Sequence, residues 1–132
     1  MAPDSTTTAA GMVSEAKREI ENLTPAQVAE ELRRGDAVLI DLRESEERAR
    51  NGVIAEAVHA PRGMLEFYAD PTSPYHREEF QPDRRTILHC ASGGRSALAA
   101  ATLRRMGYTD VAHLDGGITA WDEQGLPVEK RS

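Results

Sequence analysis

The chain holds a single cysteine, Cys90, among its 132 residues. An internal disulfide is therefore excluded, and that usage suits a reducing compartment such as the cytoplasm. Basic residues are outnumbered, 16 against 22 acidic, giving a net charge of −6. Nucleic-acid partners want a basic face, so that class is not expected. An anionic substrate must be drawn by a local positive site, since the field of the whole molecule repels it. No run of roughly eighteen apolar residues exists, which excludes a membrane-spanning helix. The opening MAPDSTTTAA has neither a basic nor an apolar region, so no secretory signal is expected. Also missing are the G-x-x-x-x-G-K-[ST] phosphate loop and any C-x-x-C or H-x-x-x-H pairing that would hold a metal.

What remains is one domain's worth of ordinary globular composition, 39% hydrophobic and 29% charged. Residues 1–13 are expected to be disordered and residues 14–132 to form the domain. SEAKREI reads as a short helix capped at Ser14. In TPAQVAEELRRGD, Thr24, Pro25 and Gln27 make a capping box with proline at the first helical position. Val28 and Leu32 then share a face, and Gly35 ends the helix.

Ala37 to Ile40 is a continuous apolar run, as a strand buried on both faces requires. SEERARNG reads as a short helix ending near Gly52, Ala57–Pro61 as a brief strand, and GMLEFYA as a helical turn or two. From Asp70 to Arg85, three prolines and many charges predict a long surface loop. Thr86–Cys90 is a second buried strand, SALAAATLRRMG a helix, DVAHL a strand and ITAWDEQG a last helix. Strands alternating with helices at this spacing predict a single α/β domain, with a doubly wound, mostly parallel sheet flanked by helices.

In such sheets ligands bind outside the carboxyl ends of the strands, and Cys90 sits at one. Directly behind it comes ASGGRS, residues 91–96. Gly93 and Gly94 allow a tight turn, and successive amides in such a turn converge into an anion nest. The helix opening near Ser96 adds its unpaired N–H groups and positive dipole end, and Arg95 adds a full charge with a fork of donors. Such a loop favours a thiolate, and equally an anionic adduct of that sulfur. The plainer reading is a lone cysteine serving as a small buried hydrophobe. An attacking thiol must also be reachable from solvent.

Other residues carry plainer expectations. His59, His76, His89 and His113 read as packed histidines, with His89 on the opposite face from Cys90. Asp41 ends a buried strand and is expected to anchor backbone or an arginine. Arg62, at another strand end, either meets anionic donors or is solvated. Met64, Phe67 and Tyr68 read as core packing, with an apolar pocket rim as the alternative; Trp121 reads as core, and the arginine pairs 84/85 and 104/105 as solvated faces.

DLRE (41–44), CASGGRS (90–96), LRRMGYTDV (103–111) and LDGGITAWDEQGLPV (114–128) together resemble the single-domain rhodaneses, over about Leu23 to Val128. The resemblance implies a rhodanese-like fold and a sulfurtransferase. Cys90 would take sulfane sulfur from thiosulfate or a similar small donor as a persulfide, then yield it to cyanide or a thiol acceptor. Ala91, Ser92, Gly93, Gly94, Arg95 and Ser96 would line the cup for that sulfur. No metal or organic cofactor is implied. GVIAEA (52–57) departs from the family's usual GHIPGA, which puts the local backbone there in question. Two rivals stand beside this reading. A cysteine phosphatase or arsenate reductase typically spaces Cys and Arg as C-x5-R, whereas Cys90 to Arg95 is C-x4-R, a smaller cup. A non-catalytic binding module commonly lacks the loop cysteine.

Overall fold

Strands without polar alternation need cover on both faces. Val38–Asp41 (β2), Thr86–His89 (β4) and Val111–Leu114 (β5) are buried at every position. The computed structural model, which describes residues 7–130, assembles them with Glu21–Leu23 (β1) and Val58–His59 (β3) into one sheet. Its order is β1-β5-β4-β2-β3, and every pair is parallel.

Alternation of side chains along each strand divides the core in two. Ile40, Leu88 and Val111 face Ala16 of α1 (Ala9–Glu19), Leu65 of α4 (Leu65–Ala69), and Ala97, Ala100 and Leu103 of α5 (Gly94–Arg105). Leu39, Ile87 and Leu114 face Val28 of α2 (Pro25–Arg34), and Ile118 and Trp121 of α6 (Gly117–Glu123). The remaining helix, α3 (Ser45–Asn51), follows β2 and buries no residue. The chain leaves β2 toward β3 on one side and β4 toward β5 on the other. Their carboxyl ends therefore border a crevice where the strand order reverses. No helix among the described residues is long and apolar enough to cross a membrane.

The Thr24 box forms as its residues predict. Thr24 Oγ1 accepts from the Gln27 N–H at 3.1 Å, and Gln27 Oε1 from the Thr24 N–H at 2.9 Å. Residues 70–85 run as successive turns, pinned by fully buried Phe80.

Several expectations are corrected. α1 begins at Ala9 and not at Ser14, its N-cap being Thr8, whose Oγ1 accepts from the Gly11 N–H at 2.9 Å. The expected disorder over 1–13 thus fails for 9–13, where a cap and helix-favouring alanines suffice once Ala16 and Ile20 are buried against the core. Residues 1–6 of that segment lie outside the described residues. β1 was not expected from its polar sequence, because its pairing with β5 comes from backbone. Arg85 is not solvated: it joins Glu31 at 2.8 Å, Glu21 at 2.7 Å and Asp110 at 2.9 Å, tying α2, β1 and the turn before β5 together. Phe67 is 51% exposed and stacks edge-on with exposed Tyr75 instead of entering the core. At GVIAEA, Val53 pairs with Glu129 in a two-bond antiparallel bridge, both bonds 2.7 Å. Gly52 is held so tightly beneath this segment, at φ +86, that a Cβ there would lie 2.6 Å from Val128.

Candidate functional site

The turn after β4 folds back on its own cysteine. Cys90 Sγ accepts hydrogen bonds from the Gly93 N–H at 3.2 Å and the Ser96 N–H at 3.4 Å. Two amides thus converge on one sulfur at the head of α5, the arrangement that stabilises negative charge there. Gly93 makes the turn through φ +108, a left-handed conformation that side chains disfavour. Ser92 is exposed, Ala91, Gly94 and Arg95 are half-buried, and Gly93 and Ser96 are buried. The sulfur lies at the floor of the loop, with Cys90 only 1% exposed. That is more enclosed than an attacking thiol is expected to be, because Sγ points inward to Ser96 and away from the crest of the loop.

A second layer braces the loop from behind. The Ile118 N–H donates to Cys90 O at 3.0 Å and the Thr119 N–H to Ala91 O at 3.1 Å. The amino end of α6 therefore satisfies the loop's carbonyls while the loop's amides face sulfur. Gly117 permits this approach: a Cβ there would fall 2.4 Å from Ala91 O. This contact is the physical content of the DGG motif.

Across the crevice, Arg95 forms a forked ion pair with Glu47 of α3, at 2.8 and 2.9 Å. The guanidinium holds the Glu47 carboxyl down at about 2, aided by the Glu44 N–H. Glu47 in turn keeps Arg95 charged, as does the nearby Cys90 sulfur.

Asp41 anchors both backbone and arginine. Its carboxylate takes the Arg43 N–H at 3.0 Å, the Arg43 side chain at 3.0 and 3.1 Å and Arg48 at 3.0 Å. Burial pushes this carboxyl up, but the hydrogen bonds from Arg43 and the neighbouring charges outweigh it and hold the group at about 2. His89 lies on this opposite face, its Nε2 3.8 Å from Asp41, and burial lowers its proton affinity. Arg62 is not brought to the loop. It pairs with Glu66 at 2.9 Å and lines a surface cleft with Leu98, Thr102 and Arg105.

Glu47 and Asn22 carry no site reading in the sequence, and His113 reads there only as a packed histidine. Ser96 Oγ lies 2.8 Å from His113 Nδ1, and His113 Nε2 lies 2.8 Å from Asn22 Oδ1. The parity of β5 offered one signal, since His113 shares the face of Val111, toward α5. Among the described residues no cluster of His, Cys, Asp or Glu could hold a metal ion.

Comparison with known proteins agrees with this architecture. Residues 24–124 match the rhodanese-like domain. A sulfurtransferase of Allochromatium vinosum is 37% identical over 93 residues, covering 70% of this chain and 78% of that protein. The polysulfide-sulfur transferase homodimer of Wolinella succinogenes superposes with a TM-score of 0.73 at 30% identity, over 91% of this chain and 85% of that one. A Rhodopseudomonas palustris protein of unknown function, called a possible tyrosine phosphatase, superposes with a TM-score of 0.89 at 43% identity, over 94% and 96% of the two chains. With its parallel sheet, its cysteine loop and the glycine contact that braces it, the chain belongs to the rhodanese-like family.

Proposed function

We propose that the protein is a sulfurtransferase carrying sulfane sulfur on Cys90, from thiosulfate or a similar donor to cyanide or a thiol. The observation that carries this reading is the convergence of the Gly93 and Ser96 amides on Cys90 Sγ. The Cys90 thiolate attacks the outer sulfur of thiosulfate, and the S–S bond of the donor breaks with its electron pair leaving on sulfite. The product is a Cys90 persulfide anion. Cyanide then attacks the terminal sulfur, leaving as thiocyanate and returning the thiolate. The two half-reactions give ping-pong kinetics.

In this reading the amides of 91–96 line the cup, and Arg95 orients the donor anion at its rim. Arg62 is given no part, because it lines a cleft with Leu98, Thr102 and Arg105 and not the cysteine loop. Because Cys90 is enclosed, this reading requires the exposed loop crest at Ser92 to move as the donor enters. Sulfur carried on the protein itself calls for no resident cofactor.

A phosphatase reading draws on the Rhodopseudomonas protein, called a possible tyrosine phosphatase. The four-residue interval between Cys90 and Arg95 gives a smaller ring of amides, suited to one sulfur more than to a tetrahedral phosphate. Intact mass after incubation with thiosulfate, without reductant, decides. Sulfur transfer adds one sulfur atom, removed by cyanide and absent in Cys90→Ser. Aryl phosphate hydrolysis without that gain establishes the phosphatase, and inactivity in both assays returns the binding-module reading.

A further inference from the structure

The hydrogen bonds behind Cys90 have a direction that the structure fixes. Asn22 Nδ2 donates to Lys17 O at 2.9 Å and to Ile20 O at 3.2 Å. Its amide is thereby oriented, and Oδ1 is the atom presented to His113 Nε2. An amide oxygen only accepts, so Nε2 carries a proton and, in the neutral ring, Nδ1 is a bare acceptor. Ser96 Oγ–H accordingly donates to Nδ1 at 2.8 Å, in preference to Gly93 O at 3.3 Å. The remaining lone pairs of Ser96 Oγ receive Cys90 S–H at 3.6 Å. A single line of donors therefore runs from thiol to hydroxyl to imidazole, and its far end is pinned by Asn22.

We infer that His113, acting through Ser96, is a positioning residue that holds the proton released when Cys90 becomes a thiolate. The inference rests on Cys90 being the sulfur carrier. The S–H bond breaks with its electron pair remaining on sulfur. The proton joins Ser96 Oγ as that hydroxyl's own proton passes to His113 Nδ1, and nothing is oxidised or reduced. Every bond in the line then reverses: Nδ1–H donates to Ser96 Oγ, and Ser96 Oγ–H donates to the sulfur anion. No buried polar atom loses its partner in either state, which is why the line holds in both. With a neutral ring beside a thiolate, Ser96 has one proton for two acceptors.

Burial works against a charge on this ring. His113 is fully buried and is held at about 4, so the imidazole rests neutral and takes the proton only when a neighbouring anion offsets that burial. The charged groups facing it are Asp115, which favours its protonation, and Lys17 of α1, which opposes it. These two are paired at 2.8 Å and act on the ring in opposite senses. The thiolate is the uncompensated charge that draws the proton onto the ring, making the pair titrate as a unit.

Thiolate absorbance against pH tests this without requiring any sulfur donor. Cys90 is the only thiol, so the difference from Cys90→Ser isolates its signal. Replacing His113 by Gln, which keeps a polar side chain but cannot take the proton, is expected to move the midpoint up by about one pH unit. Asn22→Asp, placing a carboxylate on Nε2, is expected to move it down. A purely structural role does not move the two variants in opposite directions. In the wild-type protein, ring nitrogen resonances of His113 are expected to show protonation over the pH range in which the thiolate appears. Folded His113→Gln with the wild-type midpoint, or a ring that stays neutral as the thiolate forms, overturns the inference. If His113→Gln does not fold, the wild-type resonances decide alone. Sulfur uptake measured by mass on the same samples reads the transferase assignment separately.

Discussion

Glu47 and Arg95, 48 positions apart in the chain, meet in a two-pronged ion pair that spans the crevice between the ends of β2 and β4. In the proposed sulfurtransferase reading, the pair sets the charge an incoming anion meets at the rim. Arg95 would then be the attractive group, and Glu47, ionised down to about 2, already occupies its fork. Glu47→Gln keeps a hydrogen-bonding side chain but removes that competing charge. Its KM for thiosulfate is expected to fall about fivefold with kcat little changed, as one partly screened charge is worth about 1 kcal/mol. Arg95→Ala is expected to lose most thiosulfate turnover while retaining the fold. Steady-state kinetics of both variants check this, and an unchanged KM in Glu47→Gln removes the carboxylate from donor binding.

The brace behind the loop gives a second expectation. Gly117 has φ +63 and no room for a Cβ, with Ala91 O 2.4 Å and Cys90 O 2.6 Å away. Both contacts are backbone, so neither can swing aside. Gly117→Ala is expected to destabilise the domain by about 3 kcal/mol and to lower sulfur uptake in whatever fraction stays folded. Gly35→Ala is the comparison, since its φ of +76 lies in the same left-handed region but a Cβ there meets open space. Denaturant melts of the two variants separate the close approach from the backbone strain. Equal losses would assign the whole effect to φ.

Asp41 predicts how acid acts on the fold. Its carboxyl is held at about 2, below its ordinary value, by Arg43 and its neighbours. A lowered carboxyl supplies stability above its unfolded value, about 3.9, and loses it as pH falls through the folded one. The melting temperature is therefore expected to fall between about pH 4 and pH 2. Asp41→Asn is expected to flatten that part of the profile and to cost about 3 kcal/mol at neutral pH, leaving buried Arg43 without its counter-charge. Thermal melts across pH check both, and a wild-type slope in Asp41→Asn assigns the acid loss elsewhere.

Enclosure of the sulfur is testable by size. Cys90 is 1% exposed at the floor of its loop. A bulky aromatic disulfide is expected to react with it at least about tenfold more slowly in the native protein than in denaturant, where the thiol is open. Thiosulfate, entering under Ser92, is expected still to load it. Equal rates for the bulky reagent in both states would mean that the loop stands open in solution.

These outcomes turn on features unequally visible in the amino-acid sequence. Runs such as Val38–Ile40, and the capping box at Thr24, are local, and their periodicity and spacing suffice to predict strands and a helix. The CASGGRS loop was legible because its chemistry is written in consecutive residues. What stayed hidden is what folding brings together. Glu47 reads as one more acidic residue in a polar helix until β2 and β4 become neighbours. His113 reads as a packed strand histidine until α5 sets Ser96 against it, and Asn22 lies in a three-residue strand recognisable only from its partner. Arg62 stayed open between two readings for the converse reason. A strand-end position sets its height in the sheet, while Glu66, one helical turn on, decides where its side chain goes.

The carbonyls of Cys90 and Ala91 are fastened by Ile118 and Thr119. The cup thus carries both amide donors in its own sequence but owes their placement to residues more than twenty positions further along the chain. The same dependence means that a cut after Asp115 would leave every residue of the cup intact and yet set it adrift.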